Sequence, residues 1–368
     1  MDKLRVVLLF GGRSSEHSIS CATAGGVLGA IDRDRFEVIP VGITRDGAFV
    51  LESDDPARFA LDPAQLPEVV DNGTRVSWPE SAVSRELRVT TASAEGGSDT
   101  RSLGDVDVVF PILHGRFGED GTIQGLLELL GLPYVGNGVL ASAAGMDKHA
   151  TKTLLEGAGI QVAPWVTLTR AALDADPVLW QRRVQALGLP VFVKPARAGS
   201  SVGVTKVNDW SGLDAALDVA FAEDRSVLVE SAVSGREIEI AVLEGPEPGE
   251  VGVSVAGEVI VSGRDFYDFE AKYLDAPGVE LVCPADLGDG ELFELQRVAR
   301  RAFEALGAEG LARVDVFLTD EGYVVNEVNT MPGFTPISMF PTCWLNSGLS
   351  YPELITRLVE VGHARGAR

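Results

Sequence analysis

The segment ARVDVFLTDEGYVVNEVNTMPG carries the densest set of groups able to do chemistry. Glu327 and Asn329 are two residues apart, so on a strand both side chains leave the same face. Asp-Glu-Gly separates two apolar runs, which predicts a hairpin that sets Asp315 beside them. Three oxygen donors with no Cys or His suit a hard divalent cation, magnesium or manganese, of the kind that bridges phosphates. Arg313 shares the face of Asp315 and can reach the same space. A lone strand carboxylate is ordinarily just solvated. Several polar groups converging on the inner face of apolar strands are costly to bury unpaired, which favours a site.

Other groups are weaker signals taken singly. In VFVKPARAGSSVGV, Lys194 ends an apolar strand ahead of a loop of small residues. Such a loop lets backbone N–H groups approach phosphate oxygens, although an ordinary Gly/Ser turn has the same composition. Neither G-x-x-x-x-G-K-[ST] nor G-x-G-x-x-G occurs. Glu230 ends another apolar strand, where the following backbone can read an adenine edge, and Glu237 is available for ribose hydroxyls; a surface strand end is the plain alternative. Lys148 starts a helix in GMDKHATK and by itself reads as a solvated lysine. YDFEAKYLDA lacks periodicity and reads as a lid, which acyl-phosphate chemistry would need to exclude water. Glu16 and His17 follow Gly-Gly at the end of the first strand, and His114 follows another strand. These are crevice positions of an open α/β sheet, open equally to a helix-start carboxylate or a structural histidine.

The elements that must position these groups fall into an α/β part followed by α+β parts. LRVVLLF is a continuous apolar run, as in a strand buried on both faces of a parallel sheet. A helix and FEVIPVGIT follow, opening a doubly wound domain. About 50–105 is weakly patterned, and TTASAEGGSDTRSLGD has the composition of an exposed loop. VDVVFPIL resumes the buried-strand pattern, TIQGLLELLG reads as a short helix, and LPYVGNG closes the domain. From Met146 the texture changes. A helix, a strand, a helix near 175–187, an antiparallel hairpin around the Gly/Ser loop, the strand pair in SVLVESAVSGREIEIAVLE, a long loop near 262–276, a helix near 289–306, the final hairpin and a last helix follow. The expected division is 1–145, 146–237 and 238–368.

The formal net charge of −23 argues against nucleic acid or an anionic membrane as partner. A polyanionic substrate would need locally gathered cations or recruited metal. Cys21, Cys283 and Cys343 are far apart and odd in number, so no disulfide or zinc pattern is visible and a reducing cytoplasm is expected. The apolar run from Val6 to Phe10 is too short for a signal sequence, and no stretch approaches membrane-spanning length.

Seven motifs stand in the order seen in D-alanine–D-alanine ligases: GGRSSEHSIS, PILHGRFGEDGTIQG, GMDKHATK, VKPARAGSSVGV, YDFEAKY, ARVDVF and NEVNTMPGFTPISM. The chain resembles that family from its first strand to about residue 345. The resemblance implies an ATP-grasp fold: an N-terminal α/β domain, then two α+β units that clamp ATP between antiparallel sheets. It implies that Lys148 and Lys194 contact ATP phosphates, with Ser201 and Asn326 as further nucleotide contacts. Glu230, Val233 and Glu237 would hold adenine and ribose, and Asp315, Glu327 and Asn329 two magnesium or manganese ions. Glu16 would anchor the ammonium of the first D-alanine, with Ser200 and Tyr273 completing a hydrogen-bonded triad. His114 would also face substrate. Arg313 and the Gly333 backbone would form an oxyanion hole. Ser338 would bind the second carboxylate, with Lys272 near the transferred phosphate. A homodimer is usual in the family, and a monovalent cation is a further candidate ligand. Two positions depart from the pattern: Ser231 and Ala232, where many relatives have lysine and a bulky residue, and Ala198, where many have glutamate. Rival readings are a D-lactate- or D-serine-using ligase of this fold, another ATP-grasp ligase, and a non-catalytic nucleotide-binding protein. Tyr273 favours D-alanine as second substrate, because D-lactate-using enzymes carry histidine or phenylalanine near there.

Overall fold

A computed structural model describes residues 3–62, 64–92, 97–247, 249–261 and 278–366. The expected lid, with Lys272 and Tyr273, lies outside the described residues.

The N-terminal sheet is built on β1 (Leu4–Gly11), followed by α1 (His17–Ala30), β2 (Phe36–Ile43) and β3 (Phe49–Leu51). Alternate residues of β1 enter two different cores: Val6, Leu8 and Phe10 one, Val7 and Leu9 the other. That is why the run is apolar throughout, each fully buried side chain contributing about 1.5–3 kcal/mol. The segment read as an exposed loop is instead largely strand. β4 (Thr74–Ser77), β5 (Glu86–Ala92) and β6 (Ser98–Asp105) form an antiparallel sheet, with residues 93–96 outside the described set. Val76, Leu87 and Val89 bury one face, whereas β6 is exposed over most of its length and is held by its backbone pairing to β5. An edge strand with so little buried surface leaves no apolar alternation to read. β7 (Val108–Ile112) pairs parallel to β1, giving the order β3-β2-β1-β7, and α2 (Thr122–Leu129) and α3 (Val139–Met146) follow.

Asp147 caps α4 (Lys148–Gly157), its carboxylate accepting from His149 N and Ala150 N. β8 (Trp165–Thr169), α5 (Arg170–Ala175), α6 (Pro177–Gln185), β9 (Val191–Pro195), β10 (Thr205–Val207), α7 (Leu213–Glu223) and β11 (Ser226–Ser231) make a sheet of order β10-β9-β11-β8. β9 and β10 are the expected antiparallel hairpin around the Gly/Ser loop. The next two strands do not pair with each other. β11 stays in this sheet, and β12 (Arg236–Glu244) starts a five-stranded one with β13 (Val251–Val261), β14 (Val279–Val282), β15 (Leu311–Thr319) and β16 (Gly322–Asn329), in the order β14-β13-β12-β15-β16. α8 (Asp289–Ala305) covers it, and α9 (Met339–Asn346) and α10 (Tyr351–Arg365) end the chain.

Packing crosses these divisions. Leu155 of α4 lies in the core of the five-stranded sheet, and Leu354, Leu358 and Val359 of α10 lie with β1 and β7. Asn137 donates to Leu311 O and Thr330 O and accepts from Glu309 N, fastening the end of the parallel-sheet unit to β15 and the loop after β16. The cysteines, far apart in sequence, are not all apart in space: Cys283 Sγ and Cys343 Sγ are 3.8 Å apart, both free thiols. No helix among the described residues is long and apolar enough to cross a membrane.

Candidate active site

Two adjoining cavities lie where the sheet of β1 approaches the sheets of β9 and β12. One, of about 140 Å³, opens between the two antiparallel sheets and is lined by Lys148, Lys194, Ser201, Val233, Glu237 and Phe317, among others. The other, of about 180 Å³, reaches the parallel-sheet crevice and is lined by Glu16, His114, Arg313, Gly333 and Ser338, among others. Lys148, Ala198, Ser200, Glu239, Asn326 and Glu327 line both, so the two form one cleft.

The strand pair β15–β16 sets Asp315 opposite Glu327 and Arg313 opposite Asn329. Arg313 donates to both Asp315 oxygens at 2.7 Å, and Asn329 Nδ2 donates to Asp315 at 2.9 Å. β12 adds a carboxylate that the sequence reading passed over: Glu239, opposite Asp315, lies 3.1 Å from Arg313 Nε. Its signal was the alternation in REIEI, which sends Ile238 and Ile240 to the core and Glu237 and Glu239 to the cleft. Burial opposes the Arg313 charge, but Asp315, Glu239 and Glu327 outweigh it and hold the guanidinium well above its usual range. Among the described residues no three His, Cys, Asp or Glu side chains gather closely enough to hold a metal ion unaided. The donor set nevertheless fits magnesium, which keeps waters and substrate phosphates as ligands and takes one or two carboxylates from the protein. Asp315 and Glu327 would supply those, with Asn329 beside them.

Glu230, at the end of β11, is not a surface strand end. It is 4% exposed and pairs with two lysines, Lys152 at 3.1 Å and Lys194 still closer. Burial works against its ionised form, but Lys194 and Lys152 hold its pKa below the usual carboxylate range. Burial lowers the Lys152 pKa. Lys152 was missed, although it stands one helical turn beyond Lys148 on α4. Lys148 Nζ donates to Ala198 O at 2.8 Å, so it spans to the Gly/Ser loop rather than extending into solvent. Ser231 turns its hydroxyl to Leu187 O at 3.0 Å, which accounts for a serine there.

Glu16 begins α1 and is 6% exposed. Ser200 Oγ donates to Glu16 Oε1 at 2.5 Å, joining the Gly/Ser loop to the parallel-sheet unit. Two glycines make room for this carboxylate. A Cβ on Gly115 would stand 2.5 Å from Glu16 Oε2, and one on Gly199 2.6 Å. Ser200 and Ser201 take left-handed φ values of 50° and 58°, a strained conformation for serine that is typical of functional loops. His17 is structural: its Nδ1 faces Gly12 O at 2.6 Å, and its Nε2 accepts from Val69 N at 3.0 Å. His114 is buried, with Nδ1 3.1 Å from Met331 O, and burial lowers its pKa despite the nearby Glu16 carboxylate. Glu119, in a loop without periodicity, gave no sequence signal. It keeps some surface toward the cavity, yet burial and then Glu16 push its carboxyl up to about 8. Ser338 Oγ lies 2.7 Å from Thr335 Oγ1, and a Cβ on Gly333 would stand 3.2 Å from it.

Two antiparallel sheets closing on a lysine-lined cleft, beside the crevice of a parallel sheet, are the ATP-grasp arrangement. Family models described as D-ala D-ala ligase N-terminus and C-terminus match residues 5–137 and 154–360. The chain is 54% identical to the D-alanine–D-alanine ligase of Kineococcus radiotolerans, covering 99% of this chain and 97% of that protein. It is 50% identical to the D-alanine–D-alanine ligase of Pseudarthrobacter chlorophenolicus, covering 98% and 94%. Among solved structures, the VanG D-Ala:D-Ser ligase of Enterococcus faecalis superposes with a TM-score of 0.83 at 34% identity, covering 98% of this chain and 100% of that one. The D-alanine–D-alanine ligase of Coxiella burnetii gives 0.81 at 34% identity, covering 99% and 95%. The chain therefore belongs to the D-alanine–D-alanine ligase family.

Proposed function

We infer that the chain joins two D-alanine molecules at the expense of ATP, through a D-alanyl phosphate, to supply a precursor of peptidoglycan. The observation that carries the reading is the single cleft, which places a lysine-lined chamber next to one holding Glu16 and Arg313. In it, ATP lies between the antiparallel sheets, its phosphates drawn to Lys148 and Lys194, with Ser201 and Asn326 beside them and Val233 and Glu237 at the adenosine end. Glu230 acts through the lysines it pairs with, and the backbone after it faces adenine. Magnesium or manganese, two ions per site, is held by Asp315, Glu327 and Asn329; it supplies charge neutralisation for the transferring phosphoryl group. Glu16 binds the first D-alanine ammonium and Ser200 holds Glu16 in place, with Tyr273 as their third partner. His114 lines the same chamber, Lys272 belongs near the phosphate, and Ser338 receives the second carboxylate. The first carboxylate attacks the γ-phosphate and ADP leaves, giving the acyl phosphate, and the second, deprotonated amine attacks the acyl carbonyl. Arg313 and the Gly333 N–H take up the charge on the oxygen, and phosphate leaves.

The division into 1–145, 146–237 and 238–368, a homodimer and a cytoplasmic setting complete the proposal. Phosphate release with ATP and Mg²⁺ across D-alanine, D-serine, D-lactate and their L-forms tests it. D-Alanine alone should support turnover and yield the dipeptide. Turnover with D-lactate or D-serine as second substrate equal to that with D-alanine at neutral pH would reject the assignment.

A further inference from the structure

One short loop takes hold of both backbone polar groups of a single residue across the cleft. His114 Nδ1 donates to the carbonyl of Met331 at 3.1 Å, and the N–H of the same Met331 donates to Glu119 Oε1 at 3.1 Å. Both polar groups of that backbone position are therefore held by side chains of residues 114–119, more than two hundred positions away in sequence. The other Glu119 oxygen accepts from Gly115 N at 2.6 Å, and Glu119 N donates to Gly115 O at 2.9 Å, so the loop is closed on itself. It is anchored in turn to the segment carrying Glu16. Ser14 Oγ donates to His114 O at 2.7 Å, and Thr23 Oγ1 of α1 faces His114 Nε2 at 3.4 Å. Met331 is followed by Pro332, whose ring fixes φ, and then by Gly333. Pro332 thus removes one of the backbone rotations between Met331 and the Gly333 N–H.

We propose that Glu119 is a positioning residue for the ligation step: with His114 it clamps Met331 and so sets the Gly333 N–H relative to Glu16 and Arg313. This rests on the reading that Gly333 and Arg313 receive the developing oxyanion. A carboxyl group suits the task in either protonation state, because each of its oxygens keeps a lone pair for one of the two N–H groups. Glutamine offers one acceptor oxygen and turns an NH₂ toward the other donor. Charge-stabilising donors act only when aimed correctly, so the clamp bears on rate rather than on nucleotide binding.

The test compares Glu119→Gln, His114→Gln and the double variant with a wild type first shown to ligate D-alanine. Glu119→Gln should lower kcat by roughly 10- to 100-fold, the range for a small misplacement of reacting groups, with the KM for ATP changed by less than about twofold. The double variant should lose no more than the worse single, because both side chains hold the backbone of one residue. In the ligand-free protein, amide hydrogen exchange at Met331 should speed up in Glu119→Gln. That arm needs no turnover, so failure of the ligase reading in the wild type stays distinct from failure of the clamp. An unchanged kcat, independent multiplicative losses, or unchanged Met331 exchange would each overturn the proposal. If Glu119→Gln does not fold, Glu119→Asp, whose shorter side chain cannot span both donors, carries the same three readouts.

Discussion

The two chambers of the cleft are built by different means. On the nucleotide side, the charged groups stand on regular strands and one helix: Lys194 on β9, Glu230 on β11, Glu237 on β12 and Lys148 and Lys152 on α4. Its charges are paired within the unit, two lysines sharing the buried Glu230. On the carboxylate side, Glu16, Ser200, Glu119 and Met331 come from four separate loops or element starts, and each is held by another. Regular strands can present cations to a large polyanion with modest accuracy. A reacting carbonyl needs donors placed within a fraction of an ångström, and here mutual contacts between loops supply that accuracy.

Gly199→Ala is the sharpest way to break the comparison. The added Cβ would fall 2.6 Å from Glu16 Oε2, so either the loop or Glu16 must move. We expect kcat/KM for D-alanine to fall by roughly 100-fold while the KM for ATP holds, measured by steady-state phosphate release at varied D-alanine and varied ATP. An equal rise in both KM values would show that the chambers are not separable.

Lys152→Met probes the other side. It removes one partner of a buried pair and leaves Glu230 to Lys194 alone. A loss of about 3 kcal/mol is expected in urea unfolding, with the KM for D-alanine unaffected. A fully stable variant would mean that Lys194 alone satisfies Glu230.

The last comparison is one of pH. The Glu119 carboxyl titrates near 8 in the folded chain against an ordinary 4.5, so between those values the folded state binds more protons than the unfolded one. Stability from this group is therefore greatest below about 4.5 and declines as pH rises toward about 8. Burial is the main cause of the rise, followed by Glu16 and, least, Glu327, while the N–H groups of Gly115 and Met331 oppose it; His114 and Arg313 line the same cavity. Melting temperatures of wild type and Glu119→Gln should shift in favour of the variant across that window and run parallel on either side. Parallel curves throughout would show that Glu119 is ionised at neutral pH.

The final hairpin, which borders both chambers, was legible because period-two strands write it down. ARVDVF and NEVN placed Arg313, Asp315, Glu327 and Asn329 on one face, and the register of β15 and β16 agrees. REIEI held the same kind of message for Glu239 and was passed over. The exposed strand β6 was taken for a loop, because a strand that buries almost nothing carries no hydrophobic pattern. The membership of β11 and β12 in different sheets was also invisible, since either strand reads the same whichever neighbour it pairs with.

By itself, the sequence determined the succession of a parallel α/β unit and two antiparallel ones, the oxygen-only donor set on the last hairpin, and, through its motifs, the family. Tertiary structure alone decided the rest: that Glu230 is buried between Lys152 and Lys194, that Cys283 meets Cys343, and that Glu119 and His114 grip Met331. Periodicity records which face of an element turns inward. It holds no record of which distant loop will meet which, because those contacts depend on how the sheets pack against one another.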